Sequence, residues 1–414
     1  MDVVHARCAG LDVHKKLVVA CALTPERVGA NGQPAPVIRR FGTMTGELQE
    51  LAAWLAEQGV QQVAMESTGV YWQPVWNILE EVGLFELLLV NARHIKAVPG
   101  RKTDVKDAQW LAELLRHGLV KASFVPDRAQ RELRELTRYR TALIEERTDH
   151  VNRLQKTLET ANIKLSAVVS DVTGVSARAM LAALTAGRTD SEALADLAVG
   201  RLRDKLPQLE QALVGRFGAH HQYLVPHILA TIDYLDSAIA DLDARIAECE
   251  RPFAESVERL DGIPGVGRRV AETIIAEVGG TVDRFPTAQH LASWAGLCPG
   301  NHESGGKRLS GTTRKGNQAL RRALVQAAHA AGRARKTYLG AQFRRLAARR
   351  GKKRAAVAVA HSILVIAYHL LKRDTSYTDL GPDFFDRRDP ELKERRLIRE
   401  LERLGNKVTI EKVA

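Results

Sequence analysis

The sequence predicts an α/β domain at the start of the chain, followed by two mainly helical regions and a charged tail. In the first 120 residues, short apolar runs of strand type alternate with amphipathic helical stretches, which is typical of α/β domains. Beyond residue 126 the apolar residues recur at helical spacing, and near residue 260 a glycine-rich connection joins two further helices. With 414 residues, of which 45% are hydrophobic and 27% charged, the chain is long enough for several folded domains.

The elements of the α/β domain, predicted over residues 1–125, follow a defined order. The predicted elements are strands at 6–14, 16–23 and 36–44, a helix at 45–59, a strand at 61–67, a helix at 70–83, a strand at 85–91 and a helix at 103–118. Three strands, then helix, strand, helix, strand and helix, is the order of the ribonuclease H-like fold. In that fold the first and fourth strands are neighbours.

The next region, predicted over 126–255, is long-helical. Its apolar residues recur at alternating steps of four and three, at Ile228, Ile232, Leu235, Ile239, Leu242, Ile246 and Cys249. Three such heptads indicate a coiled coil, formed either within the chain or between chains. A mainly α domain is predicted over 256–375, and the tail at 376–414 is predicted to be a surface helix with a frayed end.

Positive charge is concentrated in one segment. From Ser304 to Arg373 there are 18 Lys and Arg and no Asp or Glu, so that 43 of the 61 basic residues remain elsewhere against all 49 acidic ones. A strongly basic segment on an otherwise mildly acidic chain predicts a polyanionic partner. A merely solvated basic face is the alternative, and it would leave the acidic residues elsewhere unexplained.

The four cysteines are scattered without CxxC spacing, and the first residues are too charged for a secretion signal. These features predict a cytoplasmic protein without structural zinc. The apolar run at 355–371 contains two histidines and has basic residues on both sides, so it is predicted to be a buried helix and not a membrane span.

Four acidic residues of the first domain lie where a cleft is expected. Asp12 is in the first strand, Glu66 ends the fourth, and Asp104 and Asp107, three apart on one helix face, open the last helix. Carboxylates suit Mg²⁺ or Mn²⁺, and two such ions can hold the attacking and leaving oxygens of a phosphoryl transfer. Taken singly, each acid has a simpler explanation, as a helix-start residue, a turn residue or a cap.

Three groups of residues are candidates for binding a nucleic-acid backbone. Beside the acidic pair these are Arg101, Lys102 and Lys106; in the glycine-rich turn, Gly262, Gly265, Gly267, Arg268 and Arg269; and farther on, Lys307, Arg308, Arg314, Lys315, Arg321 and Arg322. The glycine-rich turn between two helices resembles the helix-hairpin-helix motif, whose backbone amides hold a phosphate. A plain glycine-rich connection between helices is the alternative.

The polar segment 298–317 is predicted to be a binding or catalytic loop. The hydroxyl of Ser304 or Ser310 could attack a phosphodiester while nearby basic residues neutralise the phosphate. A serine that contacts phosphate or forms a turn is the alternative.

Six segments together resemble the DEDD recombinases of the IS-one-ten family of bacterial insertion-sequence transposases. In chain order they are GLDVHKK, MESTGVYWQPVW, NARHIKAVPGRKTDVKDAQWLAELLRHG, IPGVGRRVAETIIAEVG, LASWAGLCPG and ESGGKRLSGTTRKGNQALRRAL. The resemblance spans roughly residues 5–375 and leaves only the tail outside.

The resemblance implies a RuvC-like first domain, a coiled-coil middle and a C-terminal transposase domain. It implies that Asp12, Glu66, Asp104 and Asp107 hold two Mg²⁺ or Mn²⁺ ions, and that Ser304 attacks DNA to give a phosphoserine intermediate, with Ser310 as the rival nucleophile. The implied partners are donor and target double-stranded DNA, a bridge RNA, and further copies of the chain as a dimer, or a tetramer on DNA.

Two other functions remain open from the sequence. The first is a RuvC-type metal-dependent nuclease or junction resolvase without a covalent intermediate. The second is a nucleic-acid-binding protein without catalysis.

Overall fold

The computed structural model describes residues 2–29, 32–67, 69–91, 104–300, 302–313, 315–388 and 390–410, with the backbone alone at 104–106, 302–304, 308–310, 392 and 396. The chain folds into two compact units, Met1–Pro126 and Asp127–Ala414.

The first unit contains a five-stranded mixed sheet and three described helices. In chain order the elements are β1 (Cys8–Val13), β2 (Val18–Leu23), β3 (Val37–Phe41), α1 (Thr45–Glu57), β4 (Gln62–Glu66), α2 (Trp72–Val82), β5 (Glu86–Val90) and α3 (Asp104–Arg116). The strand order is β3-β2-β1-β4-β5. The first three strands are antiparallel, whereas β4 is parallel to both β1 and β5. The predicted element order and the pairing of the first and fourth strands are therefore confirmed.

Alternation along β1 separates two apolar layers. Ala9, Leu11 and Val13 belong to the core that includes residues of α1 and α2. Cys8 belongs to the core on the opposite face of the sheet, which α3 covers. Odd- and even-numbered residues of β1 therefore point to opposite faces of the sheet, and both faces are buried.

Gly10 allows α3 to approach the sheet closely. A Cβ atom at Gly10 would overlap the carbonyl oxygen of Ala108 and the amide nitrogen of Ala112. Two residues earlier on β1, the Sγ of Cys8 lies 3.5 Å from the carbonyl oxygen of Ala112. As β1 advances, its contacts therefore move toward the start of α3, and the two elements run antiparallel.

Replacing Gly10 with alanine should push α3 away from the sheet. We expect a loss of about 1–3 kcal/mol in the free energy of unfolding, the usual cost of overpacking, measured by urea denaturation. Gly46→Ala is the matched control, because Gly46 lies in α1 and nothing lies within 4 Å of a Cβ added there. Equal stability of the two variants would contradict the close approach of α3.

Cys8 and Cys21 are fully buried under α3. Burial raises the pKa of each thiol to about 12. Both thiols therefore stay protonated at pH 8, and we expect neither to react with iodoacetamide in the folded protein. Peptide mapping after alkylation, with and without denaturant, checks this, and rapid labelling without denaturant would contradict it.

Two long antiparallel helices dominate the second unit. Its elements up to residue 249 are α4 (Arg128–Thr160), α5 (Leu165–Val168), α6 (Val175–Thr185), α7 (Ser191–Ala195), a 3-10 turn (Gly200–Lys205), α8 (Leu206–Leu213) and α9 (Ala219–Cys249). Along α4 and α9, Leu133 packs with Ile246, and Leu143 with Leu235 and Ile239. The predicted heptads thus pair within the chain, which answers the question that periodicity left open.

The rest of the second unit is mainly helical. Its elements are a 3-10 turn (Arg251–Phe253), α10 (Ala254–Asp261), α11 (Arg268–Val278), α12 (Ala288–Trp294), β6 (His302–Ser304), β7 (Lys307–Ser310), α13 (Gln318–Arg333), α14 (Tyr338–Arg350), α15 (Lys352–Arg373), α16 (Phe384–Arg388) and α17 (Pro390–Arg403). The predicted subdivision of this unit at residue 255 stays a prediction.

Helix α15 contains the apolar run that is long enough to cross a membrane. Half of the apolar stretch of this helix is buried inside the protein. The helix packs against α13 and α14. It is therefore a core helix of this unit and does not indicate membrane insertion, as the sequence predicts.

Candidate active site and nucleic-acid interface

Asp12 and Glu66 occupy equivalent positions on neighbouring parallel strands. The register of β1 and β4 runs from Cys8 opposite Gln62 to Leu11 opposite Met65, so the next positions are Asp12 and Glu66. Leu11 and Met65 belong to the core shared with α1 and α2. Because parity alternates, Asp12 and Glu66 belong to the other face of the sheet, which α3 covers.

The start of α3 lies over the same end of that face. Cys8 contacts the carbonyl oxygen of Ala112, whereas Gly10 lies against the carbonyl oxygen of Ala108 and the amide nitrogen of Ala112. Two residues along β1 therefore correspond to about four residues along α3, since an amide four residues on in a helix lies beside the carbonyl. These steps match in length, about 6 Å along the helix and about 6.6 Å along the strand. Continued by one step, this progression predicts that the first turn of α3, which contains the half-buried Asp107, lies at the level of Asp12.

The Asp12 side chain is only 12% exposed and is bonded to a histidine that sequence reasoning did not single out. Nε2 of His14 donates to Oδ2 of Asp12 over 3.0 Å, and the imidazole is 49% exposed. Period-two alternation along β1 and its continuation places His14 on the same face as Asp12, which is the signal that could have identified it.

The donor set fits a hard divalent cation, since it consists of carboxylate oxygens at the end of a sheet beside a helix start. Among the described side chains, no three His, Cys, Asp or Glu groups lie close enough together to hold one metal ion. The Asp104 side chain lies outside the described residues. The described chain thus places Asp12 and Glu66 at the same end of neighbouring strands, on the face that α3 covers, without a closed ligand cluster among the described side chains.

The segment predicted as a catalytic loop contains a short β-hairpin. β6 and β7 are joined by Gly305 and Gly306, whose φ angles are 58° and 75°. Two successive positive φ values define the tight turn that suits a two-residue hairpin, and glycine adopts them without strain. The register places position 304 opposite Lys307, whose side chain is exposed, so the candidate nucleophile ends a strand.

The glycine-rich turn between α10 and α11 has two distinct parts. Gly265 has a φ of +89°, and a Cβ there would overlap the backbone of Ala327 and Ala331 in α13. Gly267 caps the start of α11, and nothing lies within 4 Å of a Cβ added to it. Gly265 therefore serves packing, whereas the amide groups at Gly267 lie at an open helix start suited to an anion.

The two arginines that follow are paired with acids of their own unit. Arg268 pairs with the buried Glu250 and, over 3.0 Å, with Glu272. Nη2 of Arg269 lies 2.8 Å from Oδ2 of Asp243. Burial and the nearby Glu272 raise the pKa of Glu250, and Arg268 opposes them. These arginines therefore join the start of α11 to α9 and to the residue that ends α9, a role that their charge alone did not predict.

A buried carboxylate links helix α4 to the segment that follows β7. Glu277 at the end of α11 is fully buried and accepts from Nε and Nη2 of Arg138 over 2.7 and 2.9 Å. Nε of Arg134 lies 3.0 Å from its Oε2, and Nδ2 of Asn317 donates to the same oxygen over 2.6 Å. Asn317 also caps α13. Glu277 therefore ties the start of α13 to α4 and α11.

The remaining predicted basic residues differ in their surroundings. Lys315 is exposed, Arg321 donates to the carbonyl oxygen of Gly296 over 2.9 Å, and Arg322 pairs with Glu145. Arg101, Lys102 and Arg314, with the side chains of Lys106, Arg308, Ser304 and Ser310, lie outside the described residues.

An exposed basic corner joins α14 to α15. Its members are Arg349, Arg350, Lys352, Lys353 and Arg354, all exposed. In the sequence this corner is the run RRGKKR, which lies inside the basic segment 304–373 and was not singled out from it. Such a cluster suits a nucleic-acid backbone.

Two family models match successive parts of the chain. A DEDD transposase model of IS110 elements matches residues 9–163, and the transposase model of the IS116/IS110/IS902 family matches residues 257–344. The chain contains two transposase domains of the IS110 family of insertion sequences. The first match contains Asp12, Glu66, Asp104 and Asp107, and the second contains the glycine-rich turn and the β-hairpin.

Curated relatives agree with this family. The chain is 27% identical to the transposase of insertion sequence IS1111A from Coxiella burnetii, over 70% of this chain and 72% of the relative. It is 27% identical to a probable family 20 transposase of Pseudomonas aeruginosa, over 76% and 85%. It is 29% identical to a protein of insertion element IS110 from Streptomyces coelicolor, over 69% and 74%.

The two domain matches have direct consequences. An IS110-family transposase acts on DNA, and its family is one of DNA-recombining proteins. DEDD-type enzymes typically use divalent metal ions. These findings therefore argue against a nucleic-acid-binding protein without catalysis.

Proposed function

We propose that the first unit is a ribonuclease H-like, RuvC-like domain whose four acids, Asp12, Glu66, Asp104 and Asp107, hold Mg²⁺ or Mn²⁺ where DNA is cut. The observation that carries this is the register of β1 and β4, which aligns Asp12 with Glu66 on the face covered by α3. When bound, the ions, two per site, would polarise the scissile phosphate and stabilise negative charge on its oxygens.

We further propose that Ser304 is the nucleophile. Its hydroxyl oxygen bonds to a DNA phosphorus, the phosphodiester bond to the adjoining nucleotide breaks, and the departing sugar oxygen takes up a proton. The freed hydroxyl of the partner strand then attacks the serine ester, and the serine oxygen leaves. One phosphodiester is broken and one is formed, so no ATP is needed. Lys307, opposite position 304, and Lys315 neutralise phosphate charge.

The metal proposal is tested by replacing Mg²⁺ with Fe²⁺ in the presence of ascorbate and peroxide, so that hydroxyl radicals cut the backbone beside the bound ion. We expect fragments that end near residues 12, 66 and 104–107, suppressed by excess Mg²⁺. The Asp12→Asn, Glu66→Gln variant should lack these fragments. Cleavage elsewhere, or equal cleavage of the variant, would contradict the site.

We propose that a structured RNA from the element guides the protein, which would work in the cytoplasm as a dimer, or as a tetramer on DNA. Supporting this are the family resemblance and the exposed basic residues of the second unit, which can meet both DNA and RNA. Sequencing RNA that copurifies with the expressed element tests it. Enrichment of one structured RNA encoded beside the gene is expected, and its absence would remove the guided part of the proposal.

The alternative is a RuvC-type nuclease or junction resolvase that uses the same acids with water as nucleophile. It shares the metal prediction and differs in lacking a protein–DNA adduct.

A further inference from the structure

A cationic groove lies between the two long helices of the second unit, at a place to which no function has been given above. It has a volume of about 380 Å³ and is lined from α4 by His150, Arg153, Lys156 and Thr157, and from α9 by His227 and Thr231, with apolar residues at its floor. The lining residues all belong to the described chain, and none of them carries a carboxylate. The groove therefore offers cations, imidazoles and hydroxyls together.

Of the acids near the groove in sequence, Glu159 and Asp233 are paired elsewhere, whereas Glu146 and Asp149 are exposed. Glu159 pairs with Lys164, and Asp233 pairs with Arg178 over 2.6 Å. Arg153 and Lys156 are exposed. Their charges are thus available to an incoming anion, and both stand on one helix at a spacing of three, which directs them to the same side.

His150 contributes a second, independent polar feature to the groove. Nη1 of Arg153 lies 3.4 Å from Nε2 of the His150 ring, and the other ring nitrogen is Nδ1. That Nδ1 atom is buried and has no hydrogen-bond partner in the structure. Buried polar atoms without a partner are rare in folded proteins, and His150 brings one to the lining of the groove.

We infer that this groove binds a phosphate group of the nucleic-acid backbone, through Arg153 and Lys156 with His150 beside them. A phosphate supplies the anionic oxygens that this donor set lacks. The site differs from the predicted contacts at the acidic pair, the glycine-rich turn and the β-hairpin. The inference needs only a nucleic-acid ligand, and it does not depend on Ser304 or on the metal.

The test compares the full-length variant Arg153→Gln, Lys156→Gln with Arg188→Gln, Arg216→Gln, which removes the same charge from exposed positions of the same unit outside the groove. Fluorescence anisotropy measures the Kd for a labelled duplex DNA and a labelled single-stranded RNA at several KCl concentrations. We expect the groove variant to bind about tenfold more weakly than the control, and its slope of log K against log salt to fall by about 1–2.

The two nucleic acids identify the source of the phosphate. Weakening with DNA, RNA or both supports the groove and names its ligand, whereas a groove variant that matches the control with both overturns the inference. Arg153→Lys, Lys156→Arg should retain binding, because it keeps both charges. Circular dichroism melts check that every variant folds.

A direct probe uses inorganic phosphate and ring-labelled histidine. We expect phosphate to shift the signals of His150 and His227 in the natural protein and not in the Arg153→Gln, Lys156→Gln variant. If phosphate shifts these signals while both nucleic acids bind the groove variant and the control equally, the groove holds only a free anion, and the nucleic-acid inference is wrong.

Discussion

The double variant Asp12→Asn, Glu66→Gln should lose DNA cutting by at least about a hundredfold and keep its fold. Metal ions typically contribute several kcal/mol to phosphoryl transfer, and about 1.4 kcal/mol corresponds to a tenfold change in rate. Asp12 pairs with the half-exposed His14 at the edge of the site. Such a pair contributes about 1 kcal/mol or less to stability, so the unfolding midpoint should change little.

The control for this prediction is Glu57→Gln, which neutralises an exposed acid of α1 in the same unit. Cutting is measured on duplex DNA that carries the element's ends, with Mg²⁺ and the copurified RNA. A double variant that cuts as fast as Glu57→Gln would contradict the site and would favour a non-catalytic role for these acids.

Glu277→Gln should strongly destabilise the second unit. Glu277 is fully buried and neutralises Arg134, which is 15% exposed, and Arg138. Burial lowers the pKa of Arg134, and Glu277 opposes this. Removing one partner leaves a buried charge uncompensated, so we expect a loss of about 3–5 kcal/mol in the free energy of unfolding, measured by urea denaturation of the unit.

Glu248→Gln is the control, because the Arg245–Glu248 pair is exposed and screened by solvent, so its loss should change the stability little. In the same samples, hydrogen exchange of residues 298–313 should accelerate in Glu277→Gln, since Asn317 loses a charged partner at the end of that segment. Equal stability of the two variants would contradict the buried network.

The first unit was predictable because its signals are local. Apolar alternation predicted the strands, and a known element order predicted that β1 and β4 pair, which aligns Asp12 with Glu66. The antiparallel placement of α3 was not predictable, because it depends on the absence of one side chain at Gly10. A glycine inside a strand signals close approach of a backbone without saying which one.

The second unit was predictable in its helices and not in its contacts. Heptads show that a partner helix exists, and only the folded chain shows that it is α4. The hairpin at Gly305 and Gly306 was missed because its flanking residues are polar and lack the alternation that marks strands. Positive charge alone could not separate Arg268, paired with buried acids, from the exposed Lys315, although Glu272 at i+4 was a clue.

The most direct test of the central claim is to trap the covalent intermediate. Natural protein incubated with Mg²⁺, copurified RNA and DNA carrying the element's ends should yield a protein–DNA adduct. After nuclease and protease digestion, mass spectrometry should place the nucleotide on Ser304. Ser304→Ala should give no adduct, whereas Ser310→Ala should still give one. DNA cutting by the natural protein without any adduct, or an adduct on another residue, would contradict the account.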